Sequence, residues 1–289
     1  MNRPRVQGRM ATRSATAGMA LVAVLWITAA LSLMLTGMTR SVREEVRAAT
    51  GLRQSIEGRA LAEAGINLVL QGLAVRPEAV TRLTTVDVTF KGVPIQVQIM
   101  PMSGLVDVNG ASAELLQSLF VVAAGLPPAA ALSGAQAVVQ WRTRRDSAGR
   151  SFQMDAPEDL MLVPDFPYDV YARIAPLVTA GRDTSGRVNP LAAPDGVLMV
   201  LAKGNVQVAA RVAAARNANA VGIDLTQLEA AFVGSTSSRA YRLAANIPLA
   251  DGARMQFMQD VNFRADAQSE LPWRILQTQA NVVLPPDAN

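Results

Sequence analysis

The chain predicts an α+β fold: one long N-terminal helix, then an antiparallel β-sheet interrupted by a large inserted α-helical domain. Three observations carry that expectation. Proline is absent between Pro4 and Pro77, which leaves room for an unbroken helix. Apolar and polar residues alternate at 86–100 and again in segments from 239 to 279, the period-two signature of strands. Between them, residues 103–238 are alanine-rich and helical in pattern.

The first element begins with an uncharged stretch at 14–39, bracketed by Arg13 and Arg40. Its core, MALVAVLWITAALSLMLTGM at 19–38, would rise about 30 Å as a helix, the thickness of a bilayer's hydrocarbon. Arg3, Arg5, Arg9 and Arg13 precede it without an acid among them, which predicts a cytoplasmic N-terminus and an exported remainder. A removable secretory signal would use Thr28-Ala29-Ala30 as its cleavage site, yet the apolar run continues through Leu31, Leu33, Met34 and Leu35. The expectation is therefore a transmembrane helix at 19–40 that continues, amphipathic, to about 74. If continuous, it would be about 80 Å long. Its apolar or small stripe is read at Val42, Val46, Ala49, Leu52, Ile56, Ala60, Ala64 and Leu68, opposite Arg43, Glu44, Arg47, Arg53, Glu57 and Arg59. Gly51, Gly58, Gly65 and Gly72 recur at heptad spacing on nearly one face. They are candidates for a seam where another helix or sheet approaches closely, the alternative being a soft helix with coincidental spacing.

A β-hairpin follows, VDVTF at 86–90 and VPIQVQIM at 93–100 around Lys91-Gly92; Pro94 suggests that its second strand starts late or lies at an edge. In the insertion, helices are expected from Ser112, from Pro127-Pro128 towards Trp141, from Pro157 and over 167–174. Val108-Asn109 and Val188-Asn189 each form a short turn leading into a capped helix, a weak internal repeat. Strands return at 239–247, 255–263 and 273–279, with Asp251-Gly252 turning between the first two.

Composition narrows the function. Cysteine and histidine are both absent, which removes disulfides, thiol chemistry, the commonest general base and the commonest metal ligand. No phosphate-cradling loop, zinc-ligand spacing or nucleophile elbow is present, so a non-enzymatic protein is expected. The four leader arginines account for the whole formal net charge of +4, and beyond them basic and acidic side chains are equal in number. That balance argues against nucleic acid as a partner. Arg142, Arg144, Arg145 and Arg150 read as a solvated face. Asp146, Asp155, Glu158, Asp159, Asp165 and Asp169 offer oxygen ligands of the kind calcium takes, or serve as helix N-terminal acids and loop charges. The alternative function is a membrane-anchored helix-hairpin-helix DNA-binding or DNA-uptake protein, suggested by the Val-Asn turns; the phosphate-presenting glycine hairpins it needs are poorly formed.

At Gly18-Met19 a basic leader ends in glycine before an uncharged helix, which resembles a type IV prepilin processing site, cut between Gly18 and Met19. Further segments resemble the K-type minor pseudopilins of the type II secretion system, the general secretion pathway K family. These are MALVAVLW at 19–26, RALAEAG at 59–65, GLVDVN at 104–109, VQWR at 139–142 and RVNP at 187–190. The resemblance implies a leader at 1–18 and a pilin-like α/β core at 41–102 and 239–289, with an inserted α-domain at 103–238. It implies a subunit capping or initiating a periplasmic pseudopilus at the bacterial inner membrane, methylated at its mature terminus. Implied partners are other minor pseudopilins, the prepilin peptidase, the assembly platform, and secreted substrates or the outer-membrane channel. The fifth mature position is Ala23, where major pilins carry a glutamate that neutralises the preceding subunit's amine; its absence is a signature of a tip subunit without a predecessor. Family members can bind calcium through acidic residues of the α-domain. Here the stretch after Trp141 is basic, so no cofactor is expected and no metal ligand is assigned.

Overall fold

A computed structural model describes residues 15–75, 80–145, 149, 151–181, 186–248, 254–263 and 271–284. The expected leader arginines, Arg150, Asp146 and the Asp251-Gly252 turn lie outside the described residues. Two compact units are present, Met1–Ile56 and Glu57–Asn289. Helix α1, Ala15–Val75, supplies the described part of the first unit and the opening of the second.

In the second unit the hairpin forms where the alternation places it. Strands β1 (Thr84–Phe90) and β2 (Val93–Pro101) pair antiparallel, and Lys91 and Gly92 take φ of 51° and 79°, as a tight primed hairpin turn requires. Among the described residues five strands form one antiparallel sheet in the order β1-β2-β5-β6-β7, with β5 at Ala240–Pro248, β6 at Arg254–Asn262 and β7 at Arg274–Leu284. Strand β2 is thus the second strand, not an edge. Pro94 is tolerated because pairing with β5 begins only at Gln96. At Pro94, opposite Thr89, the position without an N–H faces the side that β5 does not reach.

Between the neighbouring strands β2 and β5 the chain leaves the sheet and returns. It forms β3 (Val106–Asp107), α2 (Ala113–Val122), α3 (Pro128–Thr143), α4 (Tyr168–Ile174), β4 (Val178–Thr179), α5 (Asp195–Leu201) and α6 (Val206–Asn217). The helix expected from Pro157 is a short 3-10 segment, Pro157–Leu162, because the Asp159 carboxylate folds back onto the amides of Asp155 and Ala156 at 2.7 and 3.2 Å. Ser112 caps α2 by accepting from the Leu115 amide at 3.2 Å. Helix α6 was not singled out from the sequence; its signal is Asn205, which accepts from the amides of Gln207 and Val208.

Two apolar cores result among the described residues. One fills the insertion, around Leu115, Leu119, Phe120, Leu160, Ile174, Leu198 and Leu201. The other joins α1 to the sheet: Ala62, Ile66, Val69 and Leu70 pack on Ile95, Val97, Ile99, Leu243, Ala245, Phe257 and Trp273. Leu52, Ile56 and Leu68 are exposed, and the sheet instead takes the adjoining face containing Gly58, Ala62 and Gly65. Small side chains there let the helix axis come close enough for Ile66, Val69 and Leu70 to be fully enclosed.

Candidate functional site

The Gly18–Met19 bond lies within the helical backbone of α1, close to the first described residues. From Met19 onwards the described side chains are apolar and outward: Met19, Leu21, Leu25, Trp26 and Met34 are each more than 60 % exposed. Ala23 is exposed among them and brings no carboxylate. The hydroxyls of Thr28 and Ser32 turn inward on the helix itself. Thr28 Oγ1 donates to the Leu25 carbonyl at 3.0 Å and Ser32 Oγ to the Thr28 carbonyl at 2.8 Å. Donors satisfied this way need no water, which is what an apolar surrounding demands. Among the described residues no helix is long and apolar enough to cross a membrane. The expected span includes positions 20, 33 and 35–40, whose side chains lie outside the described residues.

The heptad glycines do not act as one seam within the chain. Gly58 and Gly65 are buried on the sheet-facing side. A Cβ on Gly65 would sit 2.7 Å from Cγ2 of Ile95 in β2, so this glycine is where helix and sheet meet. A Cβ on Gly51 or Gly72 would meet no described residue beyond its own helix turn within 4 Å.

The segments singled out along the insertion converge on the joint where it leaves and re-enters the sheet. The Gly104 backbone lies against that of Ala192, and any side chain at 104 would collide with it. Buried Asp107 accepts through Oδ1 from the amides of Asn109 and Gly181, both at 3.0 Å. The Asn109 side chain clamps Met154, donating to its carbonyl and accepting from its amide at 2.9 Å each. Asn189 donates to the Thr81 carbonyl at 2.9 Å and accepts from the Leu191 amide at 3.0 Å, while its own amide donates to the Ser103 carbonyl at 2.7 Å. β3 and β4 pair in parallel beside this joint, a pairing too short to read from alternation.

Arg142 belongs to that joint and not to a solvated face. It donates to the carbonyls of Val108 and Ala111 at 2.9 and 2.6 Å, and burial holds its guanidinium below the ordinary arginine value against the opposing pull of Asp107. Arg144 and Arg145 are exposed as expected. A second anchor ties sheet to insertion. Arg242 of β5 forms a two-pronged pair with Asp260 of β6 at 2.9 and 3.0 Å and donates to the Pro176 carbonyl at 3.1 Å, with both charged side chains buried. Arg216, also buried, donates to the Ala193 carbonyl and pairs with Asp195 at 2.9 Å.

Amides in both Val-Asn turns are spent within the fold: those of Gly110 and Ala111 on the Asp107 carbonyl, those of Leu191 and Ala192 on Asn189. They are not presented to a phosphate, which removes the main physical ground for the DNA reading. Among the described residues no group of three acidic side chains is placed to hold a metal ion.

No family model matches the chain, and no curated protein matches it. Among solved structures, a chain of the GspK-GspI-GspJ complex of the type II secretion system of enterotoxigenic Escherichia coli is similar to it. The match covers 82 % of this chain and 99 % of that one, with 14 % identity and a TM-score of 0.47.

Proposed function

We propose that this chain is a minor pseudopilin of the type II secretion system, a non-enzymatic subunit that caps or initiates the periplasmic pseudopilus. The observation that carries the reading is the start of α1. A long apolar run begins at Met19, directly after Gly18, with the Thr28 and Ser32 hydroxyls satisfied on its own backbone and no carboxylate at Ala23. In this reading the prepilin peptidase cuts after Gly18 and Met19 becomes the methylated mature terminus. The helix holds the subunit in the inner membrane with its N-terminus cytoplasmic until the assembly platform transfers it to the fibre. A carboxylate at position 23 would be costly in lipid without a predecessor's amine to pair with, so alanine suits a subunit that enters first. The exposed stripe of Leu52, Ile56 and Leu68, left over by the sheet, supplies apolar surface for neighbouring minor pseudopilins. In this reading the inserted domain meets secreted substrates or the outer-membrane channel.

The test is the mature N-terminus together with the order of assembly. Mass spectrometry of the membrane-extracted protein is expected to find methylated Met19, and Gly18→Val is expected to block processing. Ala23→Glu is expected to disturb incorporation order and secretion. Unchanged secretion and order in Ala23→Glu, combined with continued processing of Gly18→Val, refutes the reading.

A further inference from the structure

We infer that the free edge of β1 docks one extended strand of a partner protein, with a lysine or arginine among hydroxyl side chains on one face and β-branched apolar residues on the other. This goes beyond the pseudopilin reading and does not rest on it.

The hairpin decides which groups that edge offers. The two-residue turn at Lys91-Gly92 makes Phe90 and Val93 a hydrogen-bonded pair, and bonded pairs then recur at every second residue of β1. Thr84, Val86, Val88 and Phe90 therefore spend their backbone N–H and C=O groups on β2, and those of Thr85, Asp87 and Thr89 point the other way. Strand β1 ends the sheet order, and among the described residues no backbone bond reaches these three from outside the sheet. All three are exposed. Their donors and acceptors stand in a row at the spacing an added strand matches. The two edges of the sheet also differ in build. Pairing of β6 with β7 is broken by register shifts, whereas β1 keeps unbroken register with β2 along its whole length. Edges are ordinarily blunted by proline, lysine or a bulge, and TTVDVTF has none of these.

Side chains select the occupant. On one face Val86, Val88 and Phe90 are half-buried against the helix–sheet core, so apolar residues of an added strand would continue that layer. The other face presents Thr85, Asp87 and Thr89. Asp87 is the one charge of β1, and among the described residues its carboxylate has a single long contact, 3.5 Å from the Gln96 side-chain amide. A cation directly across from it is favoured. A second copy of this chain is not, because self-pairing about the strand centre sets Asp87 against Asp87, and like charges directly opposite destabilise a sheet.

The experiment titrates the full-length chain in detergent with a labelled peptide, Val-Thr-Val-Lys-Val-Thr-Val, followed by fluorescence anisotropy. With Lys across from Asp87, the Lys and Thr nitrogens of the peptide face β1 and the Val nitrogens face away. N-methylation of the Lys and Thr nitrogens is expected to weaken binding about tenfold or more, and N-methylation of the Val nitrogens to leave it nearly unchanged. Glu in place of Lys is expected to weaken binding about threefold or more, and Asp87→Lys to reverse that preference. Thr85→Pro, which removes one outward N–H and no bond to β2, is expected to weaken the Lys peptide about threefold or more. No binding of the Lys peptide, equal loss from the two methylation patterns, or equal affinity for the Glu peptide overturns the inference. The methylation arm needs no variant that could misfold. Self-association of the chain that Thr85→Pro abolishes in sedimentation velocity assigns the edge to a second copy and likewise overturns it.

Discussion

Replacing Gly65 tests how closely α1 approaches its sheet. A Cβ at position 65 would stand 2.7 Å from Cγ2 and 3.3 Å from Cδ1 of Ile95. Carbon atoms rest at about 3.5–4.0 Å, so the contact must open by about 1 Å. Ile95 cannot swing away: it is fully buried, its β-branch restricts χ1, and its backbone is paired with Val88 of β1. Overpacking of this kind costs about 1–3 kcal/mol. Against it, alanine regains the roughly 1 kcal/mol that glycine loses in a helix interior. Gly65→Ala should therefore destabilise by about 0–2 kcal/mol, and Gly65→Val by more, because its branch enters the same gap. Gly72→Ala is the control. Among the described residues an added Cβ there meets nothing beyond its own helix turn within 4 Å, so it should stabilise by up to about 1 kcal/mol. The assay is urea unfolding in a Trp26→Phe, Trp141→Phe background, so that Trp273, part of the same helix–sheet core, reports alone. If Gly65→Ala stabilises the protein as much as Gly72→Ala does, the close approach is not real and the glycine spacing has another cause.

Two further outcomes follow from the ionisable groups. Arg242→Met strands the buried Asp260 carboxylate and should cost about 3–5 kcal/mol in urea unfolding, whereas Arg242→Met with Asp260→Leu should recover most of it; a loss below about 1 kcal/mol in the single variant would mean the pair is solvated. Tyr171 has its phenol pushed up to about 12 from 10.0, by burial first and then by the Glu158 carboxylate, which also accepts from Gln277 of β7 at 2.9 Å. The folded state thus holds its proton longer than the unfolded state. Its contribution to stability is whole below pH 10 and is lost as pH rises towards 12. Tyr171→Phe should flatten that loss and remove the phenol titrating near 12 in ultraviolet difference spectra; an unchanged spectrum would refute it.

Where local chemistry decides the structure, the sequence was legible. The Lys91-Gly92 turn, the Ser112 cap, Pro128 at the start of α3 and the alternation of β5 and β6 each state their own geometry, and each is found. The misreadings come where a choice between equals is settled at long range. Helix α1 carries two apolar stripes of the same period, and period alone cannot say which one the sheet will cover. Closeness of approach decides it, because the face with Gly58, Ala62 and Gly65 buries its larger neighbours more completely than the face with Leu52 and Ile56. Arg142 was misjudged for the same reason. Its charged neighbours Arg144 and Arg145 are exposed, and only the fold places the carbonyls of Val108 and Ala111 beside it.

The segments that resemble known pseudopilins are therefore of two physical kinds. Those at 104–109, 139–142 and 187–190 hold the insertion to the sheet: a backbone contact at Gly104, an aspartate and two asparagine clamps, and a half-buried arginine. Such groups tolerate little change because each leaves a buried polar partner unmet if removed. They hold the insertion in place without specifying what it touches. The segment at 19–26 is of the other kind, since its described side chains are exposed. Exposed apolar side chains find their stabilising contacts outside the chain, and Gly18, Met19 and Ala23 are the positions at which the proposed role is tested.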